Sequence, residues 1–328
     1  MYRLSIIVPV LDDNEQFEDT LVSVLQNQPA NSEVLIVHPG SYGDPYELRD
    51  EVRFVEVRDS ASLIAMLNAA CQAADGEIVH LLLPGVLAEH GWSDPAVDRF
   101  EEADVAAVAP VILNAEDSES IVAAGVRYTI GGRRVQHGAG RTLARGNRVF
   151  RRKIQGPVLQ AAFYRKSALE ALGGFDELCG DAWADVDLGL SLKSLGFRCV
   201  LEPDSMVLAS VAADRNPVGY RAGRGAERTF WRHIVNNGWL PSIAFHPFVV
   251  LGSLLGSWNR VAGYTHLLGR AISACGCLGH ASHARRLREL AESLDDAIDA
   301  DDDLSDGRRE RSSDRGSDRD ASAYRRAA

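Results

Sequence analysis

Long apolar runs are missing from this 328-residue chain. The nearest approach, Ile243 to Trp258, is interrupted by His246, Pro247, two Gly and two Ser. No stretch of roughly 18 or more apolar residues is available to span a bilayer. Cysteine is scarce: there are five, an odd number, and none shows zinc-ligand spacing. The sole close pair, Cys275-Gly-Cys277, has one intervening residue where paired ligands usually need two or more. The thiols therefore read as reduced cysteines of a cytosolic protein. Positive charge is in deficit, with 35 Lys and Arg against 46 acids and a net charge of −11, which excludes a general nucleic-acid binder. The opening residues, MYRLSIIVPVLDDNEQ, lack the charged-apolar-small order of a secretion signal, and no internal repeat is visible.

What is present is an ordinary globular composition, 46% hydrophobic and 25% charged, enough for one large core and a smaller annex. The first hundred residues alternate strand and helix signals. Leu4–Val10 is a continuous β-rich run, as a strand covered on both faces should be. Asp13 or Asn14 can cap a helix whose apolar positions Phe17, Leu21, Val24 and Leu25 share one face. Strands are predicted at Glu33–Val37, Arg53–Val57, Ile78–Leu83 and Val105–Leu113, with a helix opened by Ser60 or Ser62 between the second and third of these. Such spacing implies βαβ units, a mostly parallel sheet, and a ligand site at the strands' carboxyl ends, after Val10, Val37 and Leu83. Further on, irregular strands fill 121–136, a strand Pro157–Tyr164, a short helix Lys166–Leu172 and another helix Ala184–Leu195. Residues 217–293 read as about three amphipathic helices. From Asp295 onward come eleven acids and seven arginines with almost nothing apolar, the composition of a disordered tail.

Four segments in this order resemble the GT-A glycosyltransferases, family 2. Ser5–Val10 followed by Leu21–Gln28 is similar to that family's opening strand and helix. Glu33–Ser41 resembles its strand ending in Asp-Asp-Gly-Ser. Asn68 with Ala73–Val79 resembles the stretch before its metal strand. Gly173-Gly174-Phe175-Asp176-Glu177, with Asp185-Val186-Asp187-Leu188 and Leu195–Arg198, resembles its "G-G-F-D-E … E-D-v-D-l … G" block. The resemblance implies an α/β fold, a mostly parallel GT-A sheet flanked by helices, over 1–215, then a C-terminal helical annex over 216–294 and the charged tail over 295–328.

It also implies transfer, with inversion, from a nucleotide-sugar donor to a glycan or lipid-linked acceptor, in polysaccharide assembly. Asp185 matches the family's general base, although Ala184 replaces the Glu before it. A carboxylate in reach of a hydroxyl can take its proton as the new bond forms; the competing role for Asp185 is a helix cap. Asp187 lies about 200° round the same helix. Donor contacts fall on Pro9, Asp12, His38, Ser41, Asp44 and Asn68, with His38 and Pro39 in place of two aspartates. The metal-binding D-x-D is replaced by Leu83 and Gly85, which carry no side-chain oxygen, and hard divalent ions want oxygen ligands. The family's Mg²⁺ or Mn²⁺ is therefore not expected here: no cofactor, no metal ligands, and transfer without a metal. The family's late histidine, due near Ala209 or Ser210, is absent.

Arg133 to Lys153 holds eight Lys or Arg and no acid. Arg141, Arg145 and Arg148 are candidates for holding a diphosphate, since guanidinium groups are fixed, bidentate donors. The alternatives are a solvated loop, an acceptor-binding loop, or peripheral contact with an anionic membrane. The aromatics Trp239, Phe245, Phe248, Trp258 and Tyr264 are expected to pack the annex onto the sheet. The location expected is cytoplasmic, with the inner face of the cytoplasmic membrane as the alternative. Altered motifs leave a second reading open, a non-catalytic relative binding a glycan, a nucleotide sugar or a partner protein.

Overall fold

The computed structural model describes residues 2–11, 14–45, 47–143, 147–209, 218–235, 238–257, 261–276 and 282–293. The tail over 295–328, Asp12, Asp13, Arg145, Ser210 and Trp258 lie outside them.

Strand β1 (Leu4–Pro9) is the centre of the N-terminal half, with all six residues buried. Its side chains alternate between two layers: Ile6 and Val8 join Phe17, Leu21 and Val24 of helix α1 (Asn14–Gln26), whereas Ile7 joins Ile64, Leu67 and Ala70 of helix α2 (Leu63–Ala73). A strand buried on both faces is apolar throughout because a period of two leaves no face for water. β1 pairs in parallel with β2 (Ser32–Pro39) and β4 (Ile78–Leu82), and β2 in parallel with β3 (Arg53–Val57). Ser62 caps α2, its side chain accepting from the Ala65 amide at 3.1 Å.

Beyond β4 come the short strand β5 (Val86–Ala88), helix α3 (Asp94–Asp98), and strands β6 (Val105–Asn114), β7 (Asp117–Ala123), β8 (Val126–Tyr128), β9 (Arg134–Gln136) and β10 (Arg141–Thr142). Helix α4 (Asn147–Phe150), strand β11 (Ala161–Arg165), helices α5 (Lys166–Leu172) and α6 (Ala184–Ser194), and strand β12 (Arg198–Ala209) follow. The main sheet runs β10-β7-β6-β11-β4-β1-β2-β3; β12 pairs with β6 and β5, and β8 and β9 form a separate ribbon. β11 is antiparallel to both β4 and β6, and β12 is parallel to β6.

Two expectations are corrected here. The strand foreseen at Pro157–Tyr164 pairs only from Ala161; Pro157 has no N–H to give a ladder, and the Gln160 carbonyl instead accepts from Leu83. Sequence reading also missed β12. Its run is broken by Glu202-Pro203-Asp204, and the register shifts between Leu201 and Met206, as a proline in a sheet requires.

The annex comprises α7 (Tyr220–His233), α8 (Trp239–Ser257), α9 (Val261–Cys275) and a helix over 282–293. α7 and α9 cross at contact distance because Gly223 faces the His266 carbonyl and Gly269 the Tyr220 carbonyl; a Cβ at either would lie 2.0 or 2.2 Å from that oxygen. Their shared interior is polar: Glu227 accepts from Arg270 at 2.9 Å and lies 3.1 Å from His246 Nε2. Burial pushes the Glu227 carboxyl up, but the His246 hydrogen bond, with His246 and Arg270 charge, holds it below its ordinary value. The aromatics expected in the core are not there: Trp239, Phe245, Phe248 and Tyr264 are 57%, 54%, 69% and 60% exposed. Among the described residues no helix is long and apolar enough to cross a membrane.

Candidate functional site

In a parallel sheet the carboxyl ends of the strands gather unpaired backbone groups at one edge, and loops there form the ligand site. Here that edge carries Pro9, Pro39, Val57 and Leu82. Pro9 is buried as the last residue of β1, in register with Val37. His38 is the last residue but one of β2, 9% exposed, with Tyr42 and Phe54 rings 5.4 and 5.5 Å from its own. A cleft of about 440 Å³ lies beside it, lined among others by His38, Tyr42, Asp44, Arg49, Phe54 and Glu56. Aromatic faces with flanking charged groups suit a flat heterocycle. Ser41 is exposed, its amide donating to Asp59 at 2.9 Å.

Asn68 is placed elsewhere. Its side-chain amide donates to the Phe175 carbonyl at 2.9 Å and its oxygen accepts from the Phe175 amide at 2.8 Å. It clamps the turn Gly173-Gly174, where both glycines adopt positive φ. At the end of β4, Leu83 donates its amide to Gln160, and Gly85 donates to Thr20 Oγ1 at 3.0 Å, tying this loop to α1.

Asp185 lies in the first turn of α6, fully buried. Arg134 of β9 grips it with two bonds, Nε to one oxygen at 3.2 Å and an Nη to the other at 2.5 Å, and the Val186 amide adds a third at 2.7 Å. Asp187 points to a different set, as the helical geometry predicts. Its carboxylate lies 2.9 Å from both Arg232 Nε and His233 Nε2. Burial works to raise its pKa, but the bond and charge of His233, then the Arg232 charge, hold it well below the usual carboxylate range. Asp176, from the Gly-Gly-Phe-Asp-Glu segment, pairs with Arg228 at 2.7 Å and with Arg232. Sequence reading missed all four cationic partners, Arg134, Arg228, Arg232 and His233; the one signal was that motif carboxylates in and beside a buried α6 demand counter-charges.

The basic segment divides accordingly. Arg134 is spent on Asp185, while Arg133, Arg141, Arg151, Arg152 and Lys153 are exposed. Arg148 falls in α4 with its side chain outside the described set.

Comparison with solved structures identifies the architecture. The chain is similar to GalNAc-T7 solved with UDP, GalNAc and Mn²⁺, 13% identical, TM-score 0.55, over 74% of this chain and 52% of that one. S. aureus TarS 1-349 is also similar, 13% identical, TM-score 0.53, over 90% and 92% of the two chains. The chain has the GT-A fold. It spans about half the length of the GalNAc-T7 chain. No protein-family model matches the chain, and no curated protein does.

The GT-A likeness and the side chains overturn one expectation, that the protein has no metal and no metal ligands. The GalNAc-T7 structure contains Mn²⁺ with its nucleotide. In this chain Asp176, Cys179 and Asp187 each bring one ligand atom within 4.8 Å of the others. No local spacing like that of Cys275–Cys277 or Leu83–Gly85 marks this group, because α6 and the turn before it bring these residues together only in space. As arranged, the two carboxylates are held by Arg228, Arg232 and His233, and burial pushes the Cys179 thiol well above its ordinary value. A divalent ion there competes with two guanidinium groups and an imidazole for the same oxygens.

Proposed function

We propose that the chain is a family-2-like glycosyltransferase that moves a hexosyl or deoxyhexosyl group from a nucleotide sugar to a glycan or lipid-linked acceptor. The observation that supports this reading most is the aromatic cleft beside His38, on a GT-A sheet, next to the strand ends where nucleotides sit. In this reading His38, Ser41 and Asp44, with Pro9 and Asp12, hold the nucleoside, and the exposed Arg141 of the basic segment, with Arg145 and Arg148, meets the diphosphate. Asp185 takes the acceptor's proton. A carboxylate offers about four lone-pair sites, and three are engaged by Arg134 and Val186. The fourth is left for the acceptor hydroxyl, and because Asp185 is fully buried, its surroundings must open as acceptor enters.

The test is a panel of uridine and guanosine diphosphate sugars, with Mn²⁺ present, scored for binding by calorimetry and for transfer and donor hydrolysis. Asp185→Asn should lower turnover by about 10²- to 10⁴-fold at unchanged donor affinity. Unchanged turnover in that variant would remove Asp185 from the mechanism. A second reading, a non-catalytic GT-A protein that binds a nucleotide sugar or glycan, is favoured by the complete burial of Asp185 under Arg134. Donor binding with neither transfer nor hydrolysis is its signature.

A further inference from the structure

Between Ile234 and Gly269 the chain has no Asp, Glu or Lys, and Arg260 is the one residue there with a permanent charge. This stretch forms α8 and the first part of α9, and both helices are turned inside out. On α8 the polar residues face inward: Ser242 is buried, and His246 contacts the Gly131 carbonyl at 2.9 Å and Glu227, its ring stacked on Phe230 at 3.6 Å. Phe248, Leu251 and Leu255 face outward, 69%, 51% and 64% exposed. On α9, His266 and Arg270 are buried, whereas Val261, Tyr264 and Leu268, at the i, i+3, i+7 spacing of one helical face, are 80%, 60% and 55% exposed. A helix in water does the reverse, with its apolar stripe on the core.

We propose that the α8–α9 pair seats the protein on a lipid bilayer, its apolar face embedded among the acyl chains near the headgroups. Three observations favour lipid over a second copy of the chain. First, exposed apolar side chains of α8 from Ile243 round to Phe245 cover an arc of about 200° at 100° per residue, wider than the stripe one packed partner covers. Second, a protein interface carries a polar rim, and the described part of this surface has no charged residue at its edge on either helix. Third, the helix packed against α9 carries cationic groups that suit anionic headgroups: Arg221 and Arg224 are exposed on α7, and Gly269 of α9 packs directly against the Arg224 backbone. Neither described helix is long and apolar enough to cross, so the pair lies in the interface, about 5–10 Å deep. Trp239 and Tyr264, amphipathic and exposed, are the side chains suited to that depth. The contact stands independently of the glycosyl-transfer reading.

The experiment uses the full chain with phosphatidylcholine vesicles, with and without phosphatidylglycerol, and light scattering for oligomeric state. Co-sedimentation with vesicles, stronger with the anionic lipid, is expected. Brominated acyl chains should quench tryptophan emission, and Trp239→Phe should remove part of that quenching. Phe248→Glu with Leu255→Glu should weaken vesicle binding by about tenfold or more, with an unchanged melting temperature because both sites are exposed. Val22→Glu, on the exposed side of α1, should bind as the parent does. No sedimentation with either vesicle, or sedimentation unmoved by the double substitution, overturns the proposal. So does a dimer that the double substitution dissociates and that does not bind vesicles.

Discussion

Arg134 and Asp185 stand 51 positions apart in the sequence and meet as a two-bond ion pair at the start of α6. Removing one partner leaves a buried charge without compensation, typically a cost of about 3–5 kcal/mol. Arg134→Ala should therefore lower stability to chemical denaturant by that order, with Arg134→Lys intermediate because an ammonium cannot make the two-bond fork. A loss under about 1 kcal/mol would show that water reaches Asp185. A second buried group sets a pH response. His80 lies in β4, stacked on Phe163 at 3.7 Å, with Nδ1 facing the Ala162 carbonyl and Nε2 receiving the Trp92 indole N–H at 3.1 Å. Burial drives its pKa from 6.5 down to about 3, against the Ala162 bond, which raises it. The neutral ring's contribution is complete above 6.5 and is lost as pH falls below it, since the unfolded chain takes up a proton that the folded one refuses. Between 6.5 and 3 the loss is up to about 1.4 kcal/mol per pH unit. Asp187 and Glu227, held low, add their loss only below their ordinary values of 3.8 and 4.5. Burial holds His266 at about 4 and His283 at about 3 in the same way, so melting temperature should fall from about pH 7 to about pH 5. His80→Gln should remove part of that slope; a slope unchanged in that variant would mean that His80 is hydrated.

At the scale of elements, two crossings carry sharp requirements. Asn68 of α2 holds the turn before α6 by two hydrogen bonds to Phe175, so Asn68→Ala unpairs a backbone amide and a carbonyl together. A cost of about 1–3 kcal/mol per unsatisfied group is expected in denaturant melts. Tighter donor dependence than stability dependence, a large change in nucleotide affinity with an unmoved melting point, would return Asn68 to the nucleotide. The α7–α9 crossing is stricter. Gly223→Ala or Gly269→Ala puts a methyl carbon at 2.0 or 2.2 Å from a backbone oxygen, so the helices must separate. Because the Glu227–Arg270–His246 network sits beside that crossing, separation exposes it, and limited proteolysis should then cut between α7 and α9. A resistant variant would show that the helices can slide.

Across the whole molecule, the GT-A sheet and the annex share charges. Asp176 and Asp187 belong to the sheet-flanking block, while Arg228, Arg232 and His233 that neutralise them belong to α7. The boundary proposed near residue 215 is therefore one of sequence composition, not of stability. A chain ending at residue 215 leaves two carboxylates unpaired, each worth about 3–5 kcal/mol, against a total stability typically of 5–15 kcal/mol. It should be insoluble or unfolded, whereas a chain ending at Leu294 should melt within a degree or two of the full chain, because the remaining sequence has almost no apolar side chains to bury. Cooperative folding of the shorter piece would separate the two parts after all.

The α/β architecture was legible in the residues because a buried strand must be apolar and an exposed helix must not be: Leu4–Pro9, the Phe17-Leu21-Val24 stripe and the Ser62 cap each announce themselves within a few positions. The candidate base and the His38 strand end were legible too, as single residues within ordered segments. What partners them was not, because electrostatic pairing acts through space. Arg134 reads as one more member of a basic loop, and Asp187 as a surface helix residue, until β9 and α7 fold over α6. The candidate metal-ligand group at Asp176, Cys179 and Asp187 was hidden for the same reason, since no local spacing brings those atoms together. Nor does the apolar content of α8 and α9 say which way it faces. Sequence determined that these helices have an apolar side; only the tertiary structure, by drawing His246, His266 and Arg270 inward to Glu227, turned that side to the outside.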